Sequence, residues 1–306
     1  MPTPRVKPLY EIEKISAVKK LTDPDRDYVF AELNLDGKTL RYCMSSPTSQ
    51  WRVSTLFTKE PGTLDWLHSF RPDDVYVDIG ANVGMYALYA GVIMGTRVYA
   101  FEPESQNYAE LCRSIFLNAA HEHITAFCAA LGDKPIELSR LLLNSMGTGG
   151  SFHDFGTPSR NYAVTQRFAQ GSVGFSLDTL VEMGALPPPD HIKIDVDGHE
   201  TKVIAGMQNI LRSGKLRTLL LECDPKLPGT HGVIQQFLGQ GWVYNPDQVR
   251  LSSHGLRPAE AVVEEIRQGA YAGNIIFSKR VGELAFATRA LQRFSESDLE
   301  QMRLSA

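Results

Sequence analysis

Asp78 and Glu102, with the glycine turn between them, are the residues of this chain whose types and spacing most readily do chemistry. The turn Gly80-Ala81-Asn82-Val83-Gly84-Met85 follows the apolar run "VYVDI". A dinucleotide turn needs G-x-G-x-x-G, the middle glycine letting the backbone approach a pyrophosphate. Here Asn82 and Met85 stand at the second and third glycine positions. No Gly-Lys-Ser/Thr follows, so the Walker pattern fails as well. What remains, Asp78-x-Gly80-x-x-x-Gly84, suits a ligand without a polyphosphate. Asp78 can receive an ammonium group or orient loop amides. Glu102, about 20 residues beyond the turn, is placed to accept both hydroxyls of a ribose. A nucleoside joined to an amino-acid cation, with no phosphate, describes S-adenosylmethionine.

Those residues require strands that end at one edge. "VYVDIG" reads as a strand, "GMYALYAGVIMG" as a helix closed by Gly95, and "RVYAFEP" as a second strand stopped by Pro103. "ESQNYAELCRSIFLNAA" has helical spacing, and "ITAFCAAL" reads as a third strand. "SLDTLVEMGAL" is a helix with Ser176 as its N-cap. "HIKIDVDG" is a fourth strand, "ETKVIAGMQNILRSG" a helix, "RTLLLECDP" a fifth strand and "THGVIQQFLGQGW" a helix; "WVYN" and "AGNIIFSKR" complete the strands. Alternation of helices with apolar strands predicts an α/β fold: a doubly wound, mostly parallel sheet with helices on both faces and an antiparallel edge strand. Residues 1–70 are expected to form an N-terminal cap of a hairpin, turning at Asp36-Gly37, and a short helix with Thr63 or Pro61 near its start. Residues 71–281 form the main domain, and 282–306 an amphipathic C-terminal helix packed on the core. Trp51 and Trp66 are expected in the core. The segments 141–172 and 246–273 are expected as long loops that act as lids or binding surfaces.

The stretches "VDIGANVGMYAL", "VYAFEPESQNYAELCRSIFLN", "AALGD", "SLDTLV", "IKIDVDGHETKVIAGMQNIL" and "LLLECDP" resemble, in order, the FkbM family of methyltransferases over about residues 74–225. The resemblance implies a class I, Rossmann-like fold with a seven-stranded sheet. It also implies S-adenosylmethionine as cofactor, S-adenosylhomocysteine as product, and O-methylation of a secondary metabolite or glycan. Carried onto this chain, Asp78, Gly80, Ala81, Asn82 and Gly84 line the methionine end of the cofactor. Glu102 holds the ribose, with Pro103 shaping the turn beside it. Ala129 and Ala130 border the adenine, although plain strand packing explains alanines equally well. Asp197 stands where the family more often has Glu, which keeps the charge and shortens its reach.

The motif "IKIDVDGHE" puts Asp195, Asp197, His199 and Glu200 at a strand end and the start of the next helix. That is the rim where a methyl acceptor would lie. His199 is the candidate general base, because an imidazole ordinarily titrates near neutral pH. A structural hydrogen bond between loop and helix is the competing reading. Asp195 is assigned to the cofactor amino group or to orienting His199. Asp197 and Glu200 can do the same work or cap the following helix. Asp197 is also counted among the acceptor-binding residues, with Glu222 at the end of the fifth strand and Phe152 and His153 in the long loop. A divalent cation such as Mg²⁺ held by Asp195, Asp197 and Glu222 is conceivable but not favoured.

Bulk properties narrow the partners. The 306 residues carry a net charge of −4, which offers no basic field for a nucleic acid. Cys43, Cys112, Cys128 and Cys223 are scattered, against a zinc site or a disulfide scaffold. The N-terminus lacks the apolar core of a signal peptide, and no run is long enough to span a bilayer. The expectation is a cytoplasmic enzyme acting on a small-molecule hydroxyl, with no nucleic-acid or membrane partner and with a homo-oligomer left open. An NAD-dependent oxidoreductase and a non-catalytic nucleoside-binding scaffold are the competing classes.

Overall fold

A computed structural model describes residues 17–22, 27–35, 37–158, 168–227, 229–252 and 255–287. The extreme N-terminus, Asp36 of the hairpin turn, Tyr162 and the C-terminal helix expected beyond residue 287 lie outside the described residues. The fold is α/β, and the chain divides into two compact units.

Among the described residues, the first unit comprises 17–54 and 71–216. It holds β1 (Val75–Ile79), β2 (Arg97–Phe101), β3 (Ile124–Phe127) and β4 (His191–Ile194). Their order is β4-β1-β2-β3, and every pairing is parallel. β1 and β4 are buried along their whole length, as strands covered on both faces must be. Asp78 on β1 pairs in register with Ala100 on β2 and Lys193 on β4, so these three side chains share one face.

After the turn, the helix Met85–Leu88 widens into π-helical Tyr89–Met94 and stops at Gly95, whose φ is +72°. Gly91 lets this helix lie close to the sheet, because a Cβ there would sit 2.4 Å from the Ile124 side chain. The next helix, Ser105–Leu117, is capped by Glu104, which accepts from the Gln106 and Asn107 amides. An antiparallel meander of Ala17–Thr22, Asp27–Leu35 and Lys38–Cys43 docks on this helix. The Cys43 amide donates to Ser114 Oγ at 3.0 Å, and the Ser45 amide to Glu110 at 2.9 Å. The hairpin follows the sequence pattern. The first strand of the meander and the helix Pro47–Ser54 were not anticipated, and Trp51 on that helix is 50% exposed rather than in the core.

The expected third strand is split. The Glu102 amide donates to Phe127 O, and the Phe101 and Phe127 rings stack at 5.0 Å, which ends β3. Ala130–Leu131 then joins a separate sheet with Phe168–Phe175, Ile136–Leu143 and Asp154–Phe155. Residues 141–143, 154–155 and 168–172 of the segment expected as a loop are therefore strand. The helix expected over "ETKVIAGMQNILRSG" is also broken, into Glu200–Ala205 and Gln208–Arg212. Gly206 lies at the break, where a Cβ would meet Gly132 O at 1.9 Å.

Among the described residues, the second unit comprises 55–70 and 217–287. It contributes β5 (Thr218–Cys223), β6 (Val243–Tyr244) and β7 (Gly273–Ser278), in the order β6-β7-β5. β7 runs antiparallel to both neighbours, so the antiparallel strand lies one place in from the edge strand β6. Trp66, fully buried on the helix Pro61–Leu67, donates from Nε1 to Thr218 Oγ1 at 2.7 Å. Phe237 packs on Trp242 and Phe277. The segment 246–273, expected as a loop, carries the helices Pro246–Val249 and Ala259–Gln268.

Candidate active site

Asp78 is 1% exposed at the end of β1, and neither carboxylate oxygen makes a hydrogen bond of ordinary geometry among the described residues. Burial pushes its pKa up to about 6, against the pull of Lys193 across the register and weaker help from the Tyr76 hydroxyl and the Ala87 amide. A buried acid so poorly solvated is satisfied by a donor or a cation. The ammonium group of an amino-acid cofactor supplies both, so the residues present fit S-adenosylmethionine.

The turn glycines answer to the protein's own packing. Gly80 has φ +81°, and a Cβ there would meet Asp195 O at 1.9 Å. Gly84 has φ +88°, and its Cβ would meet Leu111 at 2.4 Å. The Gly80 and Ala81 amides both donate to Phe101 O at 3.0 Å, tying the turn to β2. Asn82 also adopts the left-handed region, with φ +51°, which Asn tolerates better than most residues. Its Nδ2 donates to Gly150 O at 2.7 Å, and its amide donates to Glu102 Oε2 at 2.8 Å.

Glu102 is 5% exposed, and its other oxygen accepts the Glu104 amide at 2.9 Å. Burial raises its pKa to about 7, and the Glu104 and Asn82 amides oppose the rise. The two amides occupy two of about four lone-pair sites on the carboxylate, leaving the others for a pair of hydroxyls. The Pro103 carbonyl accepts from Gln170 Nε2 at 2.6 Å, so the separate sheet braces the end of β2. Ala129 is buried just ahead of that sheet, and Ala130 is buried in the sheet's strand Ala130–Leu131.

A pH dependence follows. Both carboxyls have folded pKa values above the ordinary carboxylate range, so the stability they contribute is full at low pH and is lost as pH rises through about 6 and about 7. The cofactor-free protein is expected to lose on the order of 3 kcal/mol from each group between about pH 4 and pH 8. An ammonium beside Asp78 favours its ionised form, so S-adenosylhomocysteine binding is expected to tighten over the same range and release protons. Calorimetry in buffers of differing ionisation enthalpy reads this directly; binding with no proton release contradicts it.

Gly149 and Gly150 form a strap above the turn. Arg52 Nε donates to Gly149 O at 2.7 Å, the Gly149 amide to Asn107 Oδ1 at 2.7 Å, and Asn107 Nδ2 to Gly150 O at 3.2 Å. Sequence reading missed Arg52 and Asn107, which carry no local pattern that points to this loop.

The second motif closes on the same strap. Lys193, 2% exposed, donates to Asp195 Oδ2 at 2.7 Å. Asp197 has φ +57°, and its Oδ2 accepts the amide of Phe152, itself at φ +64°, at 2.7 Å. Two non-glycine residues in the left-handed region thus hold each other, the kind of local strain found at functional sites. His199 Nε2 lies 3.0 Å from Asp154 Oδ1, and both residues are buried. Asp154, another residue that sequence reading missed, is the partner that fixes the imidazole. Glu200 accepts the Val196 and Gly198 amides at 3.2 and 3.1 Å and shapes the turn; burial raises its pKa. His153 Nδ1 accepts the Asn144 amide at 3.2 Å, and burial lowers its pKa.

All the candidate residues named above lie in the first unit; Glu222, on β5, lies in the second. Among the described residues, no group of three or more His, Cys, Asp or Glu is arranged to hold a metal ion. Among the same residues, no helix is long and apolar enough to cross a membrane.

Substituting Glu102 by Gln removes a charged acceptor while keeping its shape. Affinity for S-adenosylhomocysteine is expected to fall about 10–100-fold, the value of a charged hydrogen bond. Unchanged affinity would rule out the ribose contact.

Hexuronic acid methyltransferase AglP of Haloferax volcanii is 29% identical to this chain over 194 residues, covering 61% of this chain and 72% of the relative. Among solved structures, the precorrin-6y C5,15-methyltransferase of Geobacter metallireducens aligns at 16% identity with a TM-score of 0.37, covering 61% of this chain and 71% of its own. TrmK of M. capricolum, solved with S-adenosylhomocysteine, aligns at 9% identity with a TM-score of 0.37, covering 60% of this chain and 58% of its own. The methyltransferase FkbM domain matches residues 78–255, more than half of the chain and both motifs of the site, and the chain belongs to the FkbM methyltransferase family.

Proposed function

We propose that this S-adenosylmethionine-dependent methyltransferase methylates a hydroxyl of a sugar or sugar-bearing metabolite. The observation that carries the cofactor half is the buried acid pair: Asp78, without an ordinary hydrogen bond, and Glu102, with carboxylate sites to spare. The acceptor half is supported by likeness to a relative whose name is hexuronic acid methyltransferase.

The cofactor, when bound, supplies an electrophilic methyl group on a sulfonium. Asp78 takes its ammonium group and Glu102 its ribose hydroxyls. Asn82, through Gly150, keeps the strap over the turn and excludes water. Asp154 accepts the Nε2 proton of His199, which leaves the lone pair on Nδ1. That nitrogen takes the acceptor's hydroxyl proton as the oxygen gains its methyl group. Asp195, held by Lys193, keeps the end of β4 in place beside the turn. The hydroxyl must also lie in line with the methyl, and such positioning is worth several kcal/mol. Phe152, His153 and Asp197 are assigned to holding the acceptor.

Incubation with methyl-labelled S-adenosylmethionine and a panel of glycosides, followed by NMR of the product, tests this. A methyl ether on a saccharide is the expected product. Label on nitrogen, or transfer confined to compounds without a sugar, contradicts the reading.

A further inference from the structure

Phe152 is costly to the fold on two counts. Its backbone lies in the left-handed region, at φ +64°, where a bulky side chain is strained. Its ring is also 43% exposed, which leaves apolar surface in water. A glycine at this position would remove both costs. Packing among loop aromatics does not account for the ring. Phe155, three residues on, shows what such packing looks like: its ring lies against Gly174, where an added Cβ would sit 2.6 Å from Phe155 Cε1. The fold makes room for Phe155 and leaves Phe152 at the surface.

The strained backbone is held from three sides. Arg52 donates from Nη2 to Ser151 Oγ at 3.3 Å, and the Phe152 amide donates to Asp197 Oδ2 at 2.7 Å. Asp154 pairs with Leu142 in an antiparallel ladder. The ties to the second motif are reciprocal. Asp197 faces Phe152 and Asp154 faces His199, so the segments 152–154 and 197–199 each lend the other a carboxylate. The exposed ring is therefore carried by the same cross-tied loops as the proposed base. A left-handed Phe kept in place by this many contacts is the kind of outlier that points to function. An aromatic face beside a proton acceptor suits a molecule with one apolar face and a hydroxylated edge. A pyranose ring is such a molecule. Its C–H bonds, polarised by the neighbouring oxygens, meet the partial negative charge of the phenyl face. Its equatorial hydroxyls stay available to the base.

We infer that Phe152 is a stacking platform for a pyranose ring of the acceptor, and that Asp197 holds the acceptor through Phe152, as a positioning residue. The assignment rests on the saccharide reading above and adds the residue that selects a cyclic sugar. It is tested on the full chain by kinetics with whichever panel compound the wild type methylates. Phe152→Leu keeps an apolar side chain and loses the aromatic face; it is expected to raise the acceptor KM about three- to tenfold. Affinity for S-adenosylhomocysteine is expected to be unchanged in that variant. Phe152→Tyr keeps the face and is expected to recover the wild-type KM. Phe152→Gly is expected to raise KM at least as far as Phe152→Leu, yet to melt no lower than wild type, because glycine relieves the left-handed backbone. A ring with a merely structural role gives the opposite pair of results, a lower melting temperature with an unchanged KM, and overturns the platform. Saccharide methylation with the same KM in Phe152→Leu also overturns it and leaves the proposed function standing. Methylation confined to compounds without a sugar overturns the two together.

Discussion

Replacing His199 by Ala is expected to lower kcat about 10²–10⁴-fold, with little change in affinity for S-adenosylhomocysteine. The reason is the pairing of a buried imidazole with a buried carboxylate, His199 Nε2 to Asp154 Oδ1 at 3.0 Å. A carboxylate on one ring nitrogen fixes the tautomer and leaves the other nitrogen as the proton acceptor. Asp154 acts through His199, as a positioning residue. Asp154→Asn is therefore expected to lower kcat as well, and the double variant to be no worse than His199→Ala alone. A purely structural pair gives a different pattern. Melting temperature and cofactor affinity would fall together in both single variants, and the pH dependence of kcat would keep its wild-type shape. That result would move the base elsewhere.

The second large effect is on folding. Lys193 is a cation on the inner strand β4, with a side chain 2% exposed, and it donates to Asp195 at 2.7 Å. It also sits in register with Asp78 and lies over the Tyr86 ring at 5.4 Å. Removing one partner of a fully buried ion pair costs about 3–5 kcal/mol, and with the Asp195 side chain 22% exposed the cost here lies at the lower end, about 3 kcal/mol. Lys193→Met is expected to destabilise the protein by about that much, read by urea unfolding at neutral pH. The loss should shrink on acidification, since protonating Asp78 and Asp195 removes the charges left without compensation. A Met variant as stable as wild type at neutral pH would show that the lysine is not needed to balance these acids.

Much of this site was legible in the sequence, for reasons that particular residues make clear. β1, β2 and β4 are short apolar runs closed by a glycine, a proline or an acid, and parallel strands covered on both faces read that way. The expectation for Asp78 and Glu102 comes from two strand ends and the glycine turn between them. Gly80 and Gly84 are fixed by Asp195 and Leu111, contacts that no local pattern reveals. Asp154 escaped notice because it lies 45 residues from His199, in a segment read as loop. That segment hid its strands well. Phe168–Phe175 includes two glycines, and Ile136–Leu143 leaves Ile136 and Leu138 exposed, so neither shows a clean apolar face. Lys193 was readable and overlooked. A lysine inside the four-residue strand "HIKI" is costly to bury unless it has an acidic partner.

The seat between Asp78 and Glu102 is tested most directly by calorimetry with four ligands: S-adenosylhomocysteine, adenosine, methionine and NAD. An ammonium at Asp78 and a ribose at Glu102 must be bridged by one molecule without a pyrophosphate. S-adenosylhomocysteine is expected to bind far more tightly than adenosine or methionine alone, and NAD not to bind. NAD binding as tightly as S-adenosylhomocysteine, or adenosine alone accounting for the whole affinity, would contradict the seat as drawn from these two acids.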